Sequence, residues 1–283
     1  MKNSQKAAVY LPISKLHPFH DHPFKVTDDD EMSNLAESIR AHGIISPLIV
    51  RTVENSDDYE ILSGHRRLYA AKKAGLTEVP ALIYIMDDDL AAITVVDSNM
   101  HRERILPSEK AFAFKLKADA LKHQGKRSDL TSVQIAPKLS TEIIGENEGI
   151  SKDTVKRYIR LTHLIPELLA CMDEGKIAFS VGVELSYLSD RLQQTVLDQC
   201  EINDCTPSYS QAWRMHRLYR EEKLTAAAIQ SIMSEEKANQ RETLKLRISS
   251  LRKYAPDSSP RELEEFIYKA CEYYKHYLST RKK

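Results

Sequence analysis

Cysteine is scarce and poorly placed for cross-linking. The four residues Cys171, Cys200, Cys205 and Cys271 all fall in the C-terminal half of a 283-residue chain. A chain this long does not need a disulfide framework, so these thiols are expected to be free. Cys200 and Cys205 are spaced too widely for a zinc knuckle, and no paired Cys/His set completes one. Glycine is also rare, at 8 residues, while Leu, Ala, Glu and Lys abound, so the chain leans helical. There is no excess of either charge: 41 basic residues cancel 41 acidic ones. Bulk basicity therefore does not announce nucleic acid, and any such contact must come from local patches. No apolar run reaches membrane-spanning length, and the opening MKNSQKAAVYLP lacks a signal-peptide core. The expectation is a cytoplasmic chain with no membrane partner and two or three domains.

What is present divides the chain. Residues 1–10 read as a flexible tail. The run 16–25 contains Pro18 and Pro23 and has no regular period, so it reads as a loop. Asp28 to Asp30 offer N-caps for a helix over 31–42, with Met32, Leu35 and Ile39 on one face and Gly43 as its stop. Segments 44–53, 59–62 and 79–86 read as strands. Segments 66–74 and 90–96 read as helices, and Pro107-Ser108 opens a long helix to His123 that stops at Gly125. Residues 126–131 read as loop and 223–240 as a charged connector. A last helix over 260–278 carries Leu263, Phe266, Ile267, Ala270, Tyr274 and Tyr277 on one face. The expected architecture is an α/β N-terminal domain at 11–106, an all-α helix-turn-helix domain at 107–189, and a helical C-terminal region at 190–283 with a possible dimerisation role.

Thr141 to Glu148 reads as the first helix of the helix-turn-helix, Gly149-Ile150-Ser151 as its turn and Lys152 to Leu161 as its second helix. Ser151 is a natural N-cap. Val155, Ile159 and Tyr158 face inward, and Gly145 occupies a position where a small residue is wanted. Recognition helices put N-terminal residues against base edges and basic residues on phosphates. Ser151, Lys152, Asp153, Thr154 and Lys156 are the candidates for bases or nearby phosphates, and Arg157 and Arg160 for the DNA backbone. An ordinary helical hairpin with a solvated charged face is the plainer alternative.

A second motif lies upstream. A strand ends in Ser63-Gly64, and a helix opens with His65-Arg66-Arg67. Free N–H groups at a helix start favour an anion, and guanidinium forks grip phosphate. Two arginines at that end oppose the helix dipole, a local conflict that often marks function. Asn99 and Arg102 lie three apart and add an amide and a further fork. The plainer alternative is a surface turn with solvated arginines.

The pieces Gly43 to Arg51, Gly64-His65-Arg66-Arg67 and Asn99 to Ala111 occur in order ahead of the helix-turn-helix. Over about 9–190 this resembles the ParB family of partition proteins, in particular versions carried on Gram-positive plasmids and integrative elements. The resemblance implies an N-terminal domain binding CTP with Mg2+ and a homodimer gripping a centromere-like inverted repeat in double-stranded DNA. It also implies a clamp closed by nucleotide and a ParA-type ATPase partner, for which the 1–6 tail is a candidate contact. It implies that Gly64, His65, Arg66 and Arg67 meet the triphosphate, and that Asn99 and Arg102 meet phosphate and metal, Asn99 being the metal candidate. Ser46, Arg51 and the loop 18–25 would border the cytosine end. Two positions depart from the family: His65 and Ser98 stand where it carries glutamates tied to the metal and the attacking water. Histidine and serine are poorer partners for Mg2+, which implies slow or absent turnover. Asp97 is a substitute only if it points inward.

Two other classes compete. One is a helix-turn-helix transcription regulator of a mobile element with a vestigial nucleotide pocket, which the two lost acids favour. The other is enzymatic, since the same N-terminal fold resembles sulfiredoxin and relatives that are nucleases or serine kinases. Sulfiredoxin-type chemistry wants a cysteine by the His-Arg motif, and none precedes Cys171. Asp28 to Asp30 and Asp87 to Asp89 read as caps and turns rather than as a two-metal cluster.

Overall fold

The computed structural model describes residues 7–54, 56–102, 104–128, 137–235, 248–256 and 258–281. The chain opens with strand β1 (Val9–Pro12), a short 3-10 turn, and strand β2 (Leu16–Pro18). Helix α1 (Asp30–His42), strands β3 (Leu48–Thr52) and β4 (Tyr59–Ser63), helix α2 (His65–Ala74) and strand β5 (Glu78–Tyr84) follow. The five strands form one mixed sheet in the order β1-β5-β3-β4-β2. β1 and β3 flank β5 antiparallel and parallel, and β3 and β2 flank β4 antiparallel and parallel.

Side-chain alternation along β4 builds the two faces of this sheet. Ile61 points to one face, where it joins Leu48, Val50, Val79, Ala81 and the apolar sides of α1 and α2 (Met32, Ile39, Leu68, Ala71). Leu62 points to the other, against Phe19 and the helix α3 (Asp88–Asn99) through Ala91, Ala92 and Val95. Each buried Leu, Ile, Val, Met or Phe side chain among these contributes roughly 1.5–3 kcal/mol against exposure. The Asp29 carboxylate caps α1 by accepting the Met32 N–H at 2.8 Å, and Asp87 does the same for Leu90 at 2.9 Å.

Helix α4 (Pro107–Ser128) leads out of the sheet domain. It is followed by α5 (Pro137–Glu148), α6 (Lys152–Arg160), α7 (Pro166–Asp173), α8 (Phe179–Leu185), α9 (Asp190–Ile202), α10 (Tyr209–Arg220) and α11 (Ala226–Met233). A separate C-terminal unit holds α12 (Ile248–Leu251) and α13 (Pro260–Arg281). No helix among the described residues is long and apolar enough to cross a membrane. All four cysteines are free.

The structure differs from the sequence reading at several points. The tail expected over 1–10 is strand from Val9, because β1 pairs with β5; residues 1–6, the candidate ATPase contact, lie outside the described residues. Leu16–Pro18 is a strand inside the expected loop. It is a sheet edge, where proline's missing N–H costs no ladder bond. α4 runs through Gly125 to Ser128 instead of stopping there. The described residues up to Ser234 form one compact unit. One core cluster takes Val96 and Met100 from the α3 end, Phe114 and Ala118 from α4, Ile144 from α5 and Val155 from α6. A larger one joins α7 to α11 through Leu168, Leu185, Val196, Met215 and Ile229.

Candidate functional site

The strand-to-helix turn at Gly64 sets the geometry. Gly64 has φ +104° and ψ 23°, and a Cβ there would lie 2.9 Å from Leu48 Cγ and 3.2 Å from an Arg67 guanidinium nitrogen. Only glycine lets the chain turn this tightly while Arg67 folds back over the turn. No side chain caps the start of α2, so its first N–H groups are left to other partners.

The cationic groups converge here, and each has a different hold. Arg66 reaches back to α1, 3.2 Å from Glu31 and 3.8 Å from Asp29. Arg67 donates to the carbonyl oxygens of Ser46 and, at 2.9 Å, Pro47. It thus pins the loop entering β3 by way of Ser46. Burial holds the Arg67 and Arg102 guanidinium groups below their ordinary range. Arg102 lies beyond the end of α3, with its guanidinium 5.3 Å from the centre of the Phe24 ring.

His65 opens α2 just ahead of Arg66 and Arg67, within reach of the Arg102 charge. It is 8% exposed, and neither ring nitrogen has a hydrogen-bond partner among the described residues. The His22 ring packs on it with centroids 3.7 Å apart, and His22 Nε2 is likewise buried and unpartnered. Burial, then the neighbouring His22 and Arg102, pushes His65 down to about 3. Burial, helped by Arg102 and opposed by a bond at Phe24, pushes His22 down to about 4. Both rings are therefore neutral at pH 7. His22 escaped the sequence reading. Its signal was the run His17-Pro18-Phe19-His20-Asp21-His22, but nothing in that run says which ring turns inward.

Other expected residues are engaged elsewhere. Arg51 is buried between Glu60 (2.5 Å) and Asp88 (2.7 Å), with Phe19 beneath it, so its charge is committed to these two carboxylates rather than to the Arg66–Arg102 group. Asn99 is buried at the end of α3. Its amide nitrogen donates to Val95 O at 2.8 Å and to Ser98 Oγ at 3.2 Å. Asp97 points to Lys117, 2.5 Å away and almost wholly buried, so it does not replace the missing acids. Mg2+ wants hard oxygen donors, chiefly carboxylates. The set Asn99, Ser98 and His65 supplies none, and among the described residues no group of three His, Cys, Asp or Glu is arranged to hold a metal. These residues do not fit Mg2+.

The second candidate surface is α6. Ser151 caps it, accepting the Thr154 N–H at 3.1 Å. Val155 is buried, and Tyr158 and Ile159 pack on the shared core. Lys152, Asp153, Lys156 and Arg157 are exposed, with Lys152 2.8 Å from Glu142 and Lys156 3.3 Å from Asp153. Arg157 lies over the Phe179 ring at 5.1 Å. Arg160 is turned inward: it donates to Ser186 O at 2.7 Å and lies 4.2 Å over the Tyr187 ring. These contacts join α6 to the end of α8. Gly145 is more than a small residue, for a Cβ there would meet Ile150 O at 2.7 Å.

Residues 1–100 match the family model described as ParB N-terminal domain. Residues 1–100 thus carry a ParB N-terminal domain. It is 30% identical over 205 residues to the stage 0 sporulation protein J of Bacillus subtilis, covering 70% of this chain and 66% of that protein. It is 32% identical over 169 residues to the chromosome-partitioning protein Spo0J of Thermus thermophilus, covering 60% and 56%. A nucleoid occlusion protein of Geobacillus thermodenitrificans is 29% identical over 198 residues, covering 70% and 64%. The chain thus spans less than two thirds of the length of these relatives. Among solved structures, truncated Caulobacter crescentus ParB complexed to the centromeric parS site aligns at 21% identity over 74% of this chain and 98% of that one, with a TM-score of 0.43. The same protein complexed with CTP-gamma-S aligns at 24% identity over 67% and 98%, with a TM-score of 0.32. These likenesses are loose.

Proposed function

We propose that this ParB-family chain is a sequence-specific DNA-binding partition protein, acting as a homodimer on an inverted repeat, whose N-terminal domain responds to CTP. The name of the Thermus thermophilus relative suggests the partition role. The observation that carries the nucleotide half is the convergence of Arg66, Arg67 and Arg102 on an uncapped helix start around a buried, unpartnered His65. A polyanion suits such a site. The DNA half rests on α6, whose exposed Lys152, Lys156 and Arg157 stand on a buried Val155. A ParA-type ATPase is the expected motor. Since the donor set does not suit Mg2+, no hydrolytic step is assigned, and nucleotide acts by binding.

Calorimetry tests this reading. CTP is titrated into the wild type and Arg67→Ala, each with and without DNA from the neighbourhood of its own gene. Wild type binds CTP in preference to other nucleotides; the substitution weakens binding by about 10-fold or more, the worth of one charge-assisted hydrogen bond, and leaves DNA affinity largely intact. Equal CTP affinity in the two proteins removes the pocket from the proposal. The second reading, a transcription regulator with a vestigial pocket, draws on the protein partners already held by Arg66 and Arg67. It requires DNA binding with no CTP binding.

A further inference from the structure

We propose that the stacked His22–His65 pair binds the nucleotide's phosphates by taking up a proton, and that this uptake replaces the metal ion. The inference rests on the nucleotide reading above and adds its chemistry. A triphosphate brings several negative charges into a half-buried site. A site that holds Mg2+ beside a triphosphate usually supplies one or two carboxylates, and here the neighbouring donors are an amide, a hydroxyl and imidazoles. What the site does hold is two imidazole rings 3.7 Å apart with three buried ring nitrogens lacking any partner among the described residues. Buried polar atoms are seldom left unpaired, and each such atom calls for an explanation. A ligand that hydrogen-bonds them explains these three.

The charges around the pair set the sign. Arg66 and Arg67 on α2 and Arg102 after α3 are cationic. Glu109 of α4 faces Arg102 but is already bonded to the backbone N–H groups of Lys25 and Leu106, and Asp29 and Glu31 of α1 hold Arg66. His20, on the same loop as His22, pairs with Asp21 and Glu60. With no anion bound, the arginines and burial keep both rings neutral. A polyanion reverses the local field and favours the imidazolium form. The rings are in contact, so a second proton is opposed by the first, and the pair takes up about one.

Isothermal titration of CTP into the full chain at pH 7 decides it. EDTA is present, and the measurement is made in two buffers of different ionisation enthalpy. At this pH the terminal phosphate, with a pKa of about 6, is mostly ionised already. Wild type is expected to bind in EDTA, to give heats that differ between buffers by about one proton's worth, and to bind within about threefold as tightly when Mg2+ replaces EDTA. Its Kd is expected to rise by up to about 10-fold from pH 7 to pH 8, the limit for one linked proton. In His65→Gln the buffer dependence disappears, and in His65→Glu binding becomes dependent on Mg2+. Should either variant fail to fold, the wild-type comparison decides alone. Equal heats in both buffers, or wild-type binding only with Mg2+, overturns the proton mechanism while leaving the pocket standing. No binding of CTP under any condition overturns the pocket itself, and this inference with it.

Discussion

His65 illustrates how one side chain can carry both a structural cost and a function. A neutral buried imidazole with two unpaired nitrogens lowers stability, and an inverted field from a bound anion recovers it. The same residue predicts an acid-sensitive fold. His22 and His65 have folded pKa values of about 4 and about 3, both depressed from 6.5. As pH falls below 6.5 the unfolded chain takes up protons first, so stability is full above that pH and is lost on the way down toward the folded values. Between pH 7 and pH 5 the loss is roughly 1–2 kcal/mol for each ring. Urea titrations at both pH values are expected to show it, and His65→Gln to show a visibly smaller difference. Equal differences in the two proteins would mean that the ring is not buried neutral. The Gly64 turn that opens α2 was legible in the sequence because helix-start chemistry is local. The ring partner was not, because His22 arrives from a loop 43 residues away in the chain, and its direction is set by packing against Phe24 and His65.

At the scale of one element, α6 separates two uses of arginine that its sequence leaves mixed. Helical spacing placed Val155, Tyr158 and Ile159 inward, as the core shows, because period and burial are coupled. Spacing alone left Arg157 and Arg160 alike, yet Arg160 ends the helix where Ser186 O and the Tyr187 ring wait for it. The two sites therefore respond differently. Lys156→Ala with Arg157→Ala is expected to weaken DNA binding and to reduce the slope of log K against log salt by about 1 for each phosphate no longer neutralised, with little change in folding stability. Arg160→Ala is expected to cost about 1–3 kcal/mol of stability, mainly through the stranded Ser186 carbonyl and the bared Tyr187 ring, while the salt slope stays close to wild type. A steep slope preserved in the double variant would move the DNA surface off α6. Edge strand β2 was missed for the opposite reason: a three-residue strand ending in proline has almost no periodic signal, and only the exposed edge of β4 makes it a strand.

At the scale of the molecule, the candidate anion site and the candidate DNA surface are not separate modules on a linker. Phe114 of α4 is 1% exposed. It shares a cluster with Val96 and Met100, which adjoin Asn99 and Arg102, and meets Tyr158 of α6 edge-on at 5.5 Å. α4 packs against α3 on one side and against α5 and α6 on the other, so the helix that leads out of the sheet domain shares a core with both. A shared core implies joint unfolding. Trp213 is the only tryptophan of the chain and stands on α10, in the helical half of this unit, so its fluorescence reports on that half, while far-UV dichroism reports on sheet and helices together. In urea, the two signals are expected to share one midpoint, and CTP, which the proposed function places on the other half, is expected to shift both together through mass action. Phe114→Ala is expected to lower both midpoints, by an amount corresponding to about 3–5 kcal/mol. Two midpoints in the wild type, with CTP moving the dichroism alone, would show that the nucleotide's influence stops at α4. The proposed control of DNA holding by nucleotide would then have no mechanical route through this unit.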